Sequence, residues 1–308
     1  MANIRPLSEH LALIAQTELN EVPERIEEDI NALKIWIGKQ PHLRARTDDQ
    51  FLVAFLRGCK YSLERVKRKI DIYYSVKTNT YDYVTKSDPL CDKNQYFIKQ
   101  GLVLSLPNTV TPDGARIVFI RPGLYDPAKI TMIDIMRYNI LMYDILILDD
   151  QWTVCGGIGV LDLINVTMAH IVQCTPISMK KMSVICQDAV PLRLKGIHLV
   201  NAPPGFETVF NLFKRFLNEK NRNRLHVHGD FENLYKHIPQ KLLPIEYGGE
   251  GGSLKDLTTC WENMILKNRD YLMEDSKYGT DEKKRPGRPN TEETLFGIDG
   301  SFRKLNID

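Results

Sequence analysis

Apolar and polar positions follow two different periods along this chain, and the change from one to the other divides it. Over the first eighty or so residues the period is helical. Ile26, Ile30, Leu33, Ile35 and Ile37 mark a helix over residues 24–37, and Thr47 with Gln50 forms a capping-box pattern ahead of Phe51, Leu52, Phe55 and Leu56. Ser62 is placed to cap a further helix with Leu63, Val66, Ile70 and Tyr73 or Tyr74 on one face. Three or four such helices predict a small bundle over residues 1–90, closed by Pro89 and the polar stretch 91–95.

From about residue 96, short β-rich runs alternate with helical stretches. Residues 116–120, 159–166, 196–201 and 224–229 read as strands, and residues 132–149, 176–189 and 206–221 as helices. Thr175 before Pro176 suits an N-cap and first helical position, and Pro191 stops that helix. Strand–helix–strand alternation predicts an α/β domain over residues 91–252, its sheet mixed but mainly parallel. After it, Ser253 can cap a helix to about Met273. The polar stretch 274–289 is expected to be mobile. Leu295, Phe296, Ile298, Phe302, Leu305 and Ile307 are expected to bring the end of residues 253–308 back onto the body.

The most informative stretch is 193–229. Phe206, Val209, Phe210, Phe213, Phe216 and Leu217 follow the i, i+3, i+4, i+7 spacing of one helical face, with basic residues around it. Such a helix can pack on a core, cover an apolar cavity or meet an anionic membrane.

Composition narrows the choice. Hydrophobic residues are 43% and charged residues 26% of 308, and the net charge of +2 is too small for bulk attraction to nucleic acid. Any basic function is a local patch. The beginning of the sequence has no long apolar run, so secretion is not expected. The run around residues 145–148 is far too short to span a bilayer. Cys59, Cys91, Cys155, Cys174, Cys186 and Cys260 show no CxxC spacing and read as reduced thiols of a cytoplasmic protein.

Catalytic constellations are missing: no GxSxG, HExxH or GxxxxGK[ST] occurs. Gly156, Gly157 and Gly159 do not complete a dinucleotide fingerprint, because Asp162 stands where the third glycine would fall. The GGEGG at 248–252 reads as a turn. His226 and His228 share a strand face, but no third metal ligand lies nearby in sequence, so hydrogen-bonding histidines and no metal site are expected. Arg193 and Lys195 point the same way in a strand, and Lys220 and Arg224 continue the phenylalanine seam. Lys214, Arg215 and Arg222 lie on other faces. These cations suit a solvated basic face or a phosphate head group.

FLRGCKYSLERVKRKIDIYY at 55–74 resembles the N-terminal helical module of the CRAL-TRIO lipid-binding family. LKGIHLVNAPPGFETVFNLFKRFLNEKNRNRLHVHG and LLPIEYGGEGGS resemble its lipid-binding domain, and the closing GSFRKLNID resembles the insect branch. The likeness runs from about residue 25 to 273. It implies an α/β/α fold whose sheet floors an apolar pocket, with residues 201–221 as a mobile gate carrying Phe206, Val209, Phe210 and Phe213 over the ligand. It further implies pocket positions at Met136, Asn139, Tyr143, Leu161, Val166, Met182, Ile185, Cys186, Val190, Leu192 and Ile197. Asn139 and Tyr143 stand where tocopherol-binding members have small serines, and Val166 where they have tryptophan, so a reshaped cavity is expected. A phosphoinositide site is implied at Arg193, Lys195, Lys220 and Arg224. A further family arginine falls on Cys59, with Lys60 or Arg57 beside it as substitutes. The expected function is a non-enzymatic carrier, with no cofactor but its ligand: a tocopherol, retinoid, carotenoid, sterol-like compound or phospholipid acyl chain. It would exchange that ligand at endosomal or plasma membranes. A lipid-sensing module in membrane trafficking is the alternative. No nucleic-acid partner is expected, and no protein partner is named.

Overall fold

The computed structural model describes residues 2–79 and 88–297, with side chains at 107–110 excepted. The chain opens with helices α1 (Glu9–Leu19), α2 (Ile26–Gly38), α3 (Asp49–Gly58) and α4 (Leu63–Asn79), and a short strand β1 (Leu43–Arg44) lies between α2 and α3. The α2 stripe Ile26, Ile30, Leu33 and Ile37 is buried as its spacing requires, whereas Ile35 falls off the stripe and is exposed. The helix α3 is capped one residue later than the capping-box pattern suggests. Asp48, not Thr47, accepts the Phe51 N–H at 2.9 Å, because a carboxylate at the N-cap also meets the helix dipole.

The polar stretch after Pro89 is a helix, α5 (Asp92–Gln100), and not the loop expected from composition. Only Asn94, Phe97 and Ile98 of its nine residues are buried, too short a pattern to register as periodic. A five-stranded sheet follows in the order β2 (Val103–Val110), β3 (Arg116–Ile120), β4 (Gly157–Asp162), β5 (Leu194–Val200), β6 (Leu225–Val227). β2 pairs antiparallel with β3, and every other pair is parallel. The crossovers carry α6 (Met132–Leu146), α7 (Asp150–Cys155), α8 (Met168–Val172), α9 (Pro176–Val184), α10 (Phe206–Phe216) and α11 (Glu219–Arg222). Thr175 caps α9 as its position before Pro176 predicts. That helix continues into a π-helical turn over Ile185–Ala189. α12 (Phe231–Tyr235), α13 (Leu254–Lys267, capped by Ser253) and α14 (Arg269–Glu274) follow.

Two apolar cores result. One lies between the back of the sheet and the C-terminal helices, where Phe119 packs on Tyr247 at 4.9 Å between ring centroids and Trp261 is fully buried. The other gathers Phe51, Phe55, Tyr73 and Tyr74 of the N-terminal helices with Met136 and Ile140 of α6 and with Val184, Ile185 and Val190. The helix α6 is therefore buried on both sides. At Gly58 the end of α3 approaches the segment before β5 so closely that a Cβ would sit 1.8 Å from the Pro191 carbonyl oxygen. Only glycine fits there.

The stretch 274–289, expected to be mobile, is instead tied down. Strand β7 (Gly279–Thr280) pairs with β1, and Arg285 makes a two-pronged ion pair with Asp71 at 2.6 and 2.8 Å. Lys77 of α4 lies buried between Asp144 of α6 at 2.8 Å and Asp275 at 2.5 Å. Composition misleads because these polar side chains satisfy one another instead of water. Phe296 of α15 (Glu292–Phe296) is buried in the N-terminal core; Ile298, Phe302, Leu305 and Ile307 lie outside the described residues.

Candidate functional site

The front of the sheet presents apolar side chains on its central strands. In parallel strands, opposed residues share a face, so the pairs Gly159↔Ile197 and Leu161↔Leu199 put Gly159, Leu161 and Ile197 on one side. Leu161 and Ile197 belong to strands flanked on both edges, yet both keep accessible surface. A Cβ at Gly159 would meet only its sheet neighbours, Ile197 Cγ1 at 3.8 Å and Val118 Cγ1 at 4.0 Å, and nothing from a covering layer. A filled core leaves no such space over a central strand.

Two helical segments face each other, α6 and α9 with the turn that continues it. Met136 and Ile140 turn into the N-terminal core, while Tyr143 and Leu192 pack against both cores. Asn139, four residues before Tyr143, lies on the same face of α6. Opposite them stand Met182 and Cys186, also four apart: Asn139 Nδ2 is 3.7 Å from Met182 Sδ, and Tyr143 Oη is 3.3 Å from Cys186 Sγ. Burial pushes the Tyr143 phenol and the Cys186 thiol up, yet both residues retain accessible surface. Ile185 and Val190 are buried in the N-terminal core, and Val166 is half-buried in the loop before α8.

The phenylalanine helix α10 packs against α9. Its N-cap Gly205 has φ +83°, four residues after Asn201 at φ +56°. Of its residues only Val209 is buried; Phe206, Phe210, Phe213 and Phe216 stay half-buried, with Lys214 Nζ 5.2 Å from the Phe210 ring centre. The helix stops at Phe216, short of the residue 221 its sequence suggests, because Leu217 is extended and Asn218 caps α11. Gln187, in the π-turn, fastens that break. Its amide donates to the Phe216 carbonyl at 3.1 Å and accepts from Asn218 N and Asn221 Nδ2, each at 3.0 Å. Lys69 of α4 donates to the Gln187 and Val190 carbonyls at 2.8 and 2.9 Å. Nothing in the sequence marks Gln187; π-turns inside helices recur at functional sites. Gln187→Ala is expected to speed hydrogen exchange of backbone amides over 206–222 by about tenfold or more, since each lost bond is worth roughly 0.5–1.5 kcal/mol. Unchanged exchange would show that Gln187 does not hold the helix.

The basic residues divide. Lys220 is held below the ordinary lysine range by burial and then by the positive field of Arg224, Lys60, Arg193 and Arg65. Those five cations therefore face one region. Arg193 meets Glu18 at 3.6 Å through one nitrogen, while its Nε and Nη2 are buried with no hydrogen-bond partner among the described residues. Arg224 donates to the Leu194 carbonyl. Lys195 leaves the group: it pairs with Asp113 at 2.6 Å. Lys60 and Tyr61 both have left-handed backbones, a sharp turn that presents Lys60 beyond the end of α3. Arg57, the other neighbour of Cys59, is instead buried against Glu21 at 2.8 Å and Asp150 at 3.1 Å. Cys59 is buried, and burial raises its thiol. Arg65, on the first turn of α4, is the cation that sequence spacing does not reveal.

On the back of the sheet His226 and His228 share a face, as alternation predicts, and His198 and His237 join them. His198 Nδ1 lies 2.9 Å from His228 Nε2, and the rings of His198, His226 and His228 stack beside a recess of about 400 Å³. Burial and then the neighbouring imidazoles push His198 down to about 3. Among the described residues no group of three or more His, Cys, Asp or Glu side chains is arranged to hold a metal ion. No helix among them is long and apolar enough to cross a membrane.

Residues 99–249 match the family model of the CRAL/TRIO domain, and residues 22–94 match one described as a Pinta-like UBA domain. The chain is 32% identical to the alpha-tocopherol transfer protein-like protein of Homo sapiens over 271 residues, covering 87% of this chain and 78% of the relative. It is 29% identical to Clavesin-2 of Rattus norvegicus over 277 residues, 88% of this chain and 82% of the relative. The crystal structure of Sfh5 is similar with a TM-score of 0.49 and 16% identity, over 87% of this chain and 99% of that one.

Proposed function

Because the chain belongs to the CRAL/TRIO domain family, we propose that it holds a small hydrophobic molecule over the sheet, beneath the helix Phe206–Phe216, and exchanges it at a membrane. The observation that supports this reading is that Leu161 and Ile197 keep accessible surface on central strands and that a Cβ at Gly159 would meet only its sheet neighbours, together with a helix whose phenylalanines stay half-buried. Taking apolar ligand surface out of water drives such binding, at about 25 cal/mol per Å² before the costs of association. The reading makes the protein a carrier and not an enzyme.

Membrane docking is supported by two surfaces. The basic region around Lys220 suits a phosphorylated lipid head group. The helix α8 exposes Met168 at 62% and Val172 at 68%, and Ile177 on the first turn of α9, which packs against α10, is half exposed. Apolar side chains standing in water beside a lid favour contact with lipid. Phosphoinositide on the cations and acyl chains on the apolar patch would then both favour the open gate, coupling docking to release.

The double variant Lys220→Ala with Arg224→Ala is expected to weaken binding to phosphoinositide-containing liposomes at low salt. At about 1 kcal/mol per basic residue near an anionic surface, the loss is roughly thirtyfold, with ligand capacity intact. Unchanged liposome affinity would remove the basic site from the proposal. Transfer of a fluorescent lipophile between two vesicle populations tests the carrier itself. Saturable binding without accelerated transfer would favour the lipid-sensing role instead.

A further inference from the structure

At the start of β5 two cations are covered by acids. The side chains of Arg193 and Lys195 are 16% and 23% exposed, while their partners Glu18 and Asp113 are 50% and 58% exposed. The carboxylates therefore lie on the solvent side of both pairs. Glu18 comes from the last turn of α1 and Asp113 from the turn between β2 and β3, so two separate elements reach the same place. Asp113 takes Lys195 twice, through its carboxylate at 2.6 Å and its backbone carbonyl at 3.3 Å. The two pairs adjoin one another: burial raises the Cys155 thiol, and Lys195, Arg193, Glu18 and Asp113 all act on it. Arg193 also belongs to the positive field around Lys220. Lys60, Arg65, Lys220 and Arg224 make no ion pair among the described residues, and the first three of them are exposed.

Resting on the membrane-docking reading above, we infer that Glu18 and Asp113 are built-in competitors for the phosphorylated lipid head group. They hold Arg193 and Lys195 in the free protein and yield them when a phosphate monoester arrives. The four open cations meet the head group first. To reach the other two it must displace a carboxylate from each. A phosphate monoester carries about −1.5 to −2 charges on three acceptor oxygens and is equipped to do so. The singly charged diester of an unphosphorylated lipid would only exchange like for like. Ion pairs this exposed contribute little to stability, so the two acids matter through access to the cations and not through folding.

The variant Glu18→Gln with Asp113→Asn keeps the shape of both side chains and removes the competition. The full chain is titrated at low salt with phosphatidylcholine vesicles containing phosphatidylinositol 4,5-bisphosphate and, separately, with soluble inositol 1,4,5-trisphosphate. The variant is expected to bind both probes about twofold to thirtyfold more tightly than the native chain, the range for releasing two exposed pairs, with its melting temperature unchanged. The exposed and distant pair Glu232→Gln with Glu293→Gln makes the same change in net charge and is expected to leave affinity for the soluble probe unchanged. Equal affinity of native and variant protein for both probes would overturn the inference and leave membrane docking standing. A gain with vesicles alone, or an equal gain in the distant variant, would also overturn it, because bulk attraction of a more positive protein would then suffice. Binding of the soluble probe without binding of vesicles would overturn the lipid as its source. Binding of neither probe by either protein would overturn the docking site and this inference together.

Discussion

Lys77→Met is expected to destabilise the protein by about 3–5 kcal/mol, the usual cost of taking one partner from a buried charge group. At roughly 2–4 °C per kcal/mol, the melting temperature would fall by about 10 °C. The ammonium is 4% exposed and sits between Asp144 at 2% and Asp275 at 8%. Methionine keeps the length of the stem and leaves both carboxylates facing each other in the interior. The loss should also depend on pH in a defined direction. Burial raises the Asp144 carboxyl above its ordinary range, Lys77 and Tyr73 draw it back, and Asp275 raises it further. Without Lys77 the folded value moves higher still. A carboxyl whose folded value exceeds its unfolded one costs nothing below the unfolded value near 4, and costs progressively more as pH rises through the folded value. The gap between variant and native melting temperatures should therefore be smaller at pH 4–5 than at pH 8. A gap that is constant, or widest in acid, would contradict this account of the triad.

Gly159→Phe is expected to abolish most ligand binding without unfolding the protein. A Cβ there meets only ordinary contacts, the backbone is regular strand, and phenylalanine suits a strand better than glycine does. The ring would lie on Leu161 and Ile197. If it takes about 100 Å² of floor from the ligand, the loss is about 2.5 kcal/mol, roughly sixtyfold in affinity. Binding of a lipophilic fluorophore and the melting temperature, measured together, decide the matter. If the space is already filled, overpacking would instead lower stability by about 1–3 kcal/mol. Lost stability with intact binding would mean that the floor is not where the ligand lies.

The sequence carries the architecture well where periodicity is long and the site poorly where contacts cross the chain. The stripe of α2, the cap of α9 and all four strands from β3 to β6 are visible as spacing and alternation. Strand β2 is not, because Pro107 interrupts its pattern. The gate helix announces itself through Phe206, Phe210, Phe213 and Phe216, yet its fastening by Gln187 cannot be read, since a glutamine in a π-turn looks like any solvated one. The basic region shows the same limit. Lys220 and Arg224 are found by their spacing of four, whereas Arg65 is distant in sequence and Lys195 is claimed by Asp113, 82 residues away. Asn139 with Met182 and Tyr143 with Cys186 are each 43 residues apart, and the facing of α6 with α9 and its π-turn brings both pairs together.

The return of residues 275–285 onto the first helices bears on how the protein folds. β1 waits for β7, Asp71 for Arg285, and Lys77 for Asp275, 198 residues further on. Pairings so distant in sequence raise the contact order and slow the search. During synthesis the N-terminal helices emerge first but cannot complete their polar contacts until nearly three hundred residues are made. Until then the buried Lys77 lacks one of its two carboxylates, so folding of the amino-terminal half should be finished only once residues 275–285 are available to it.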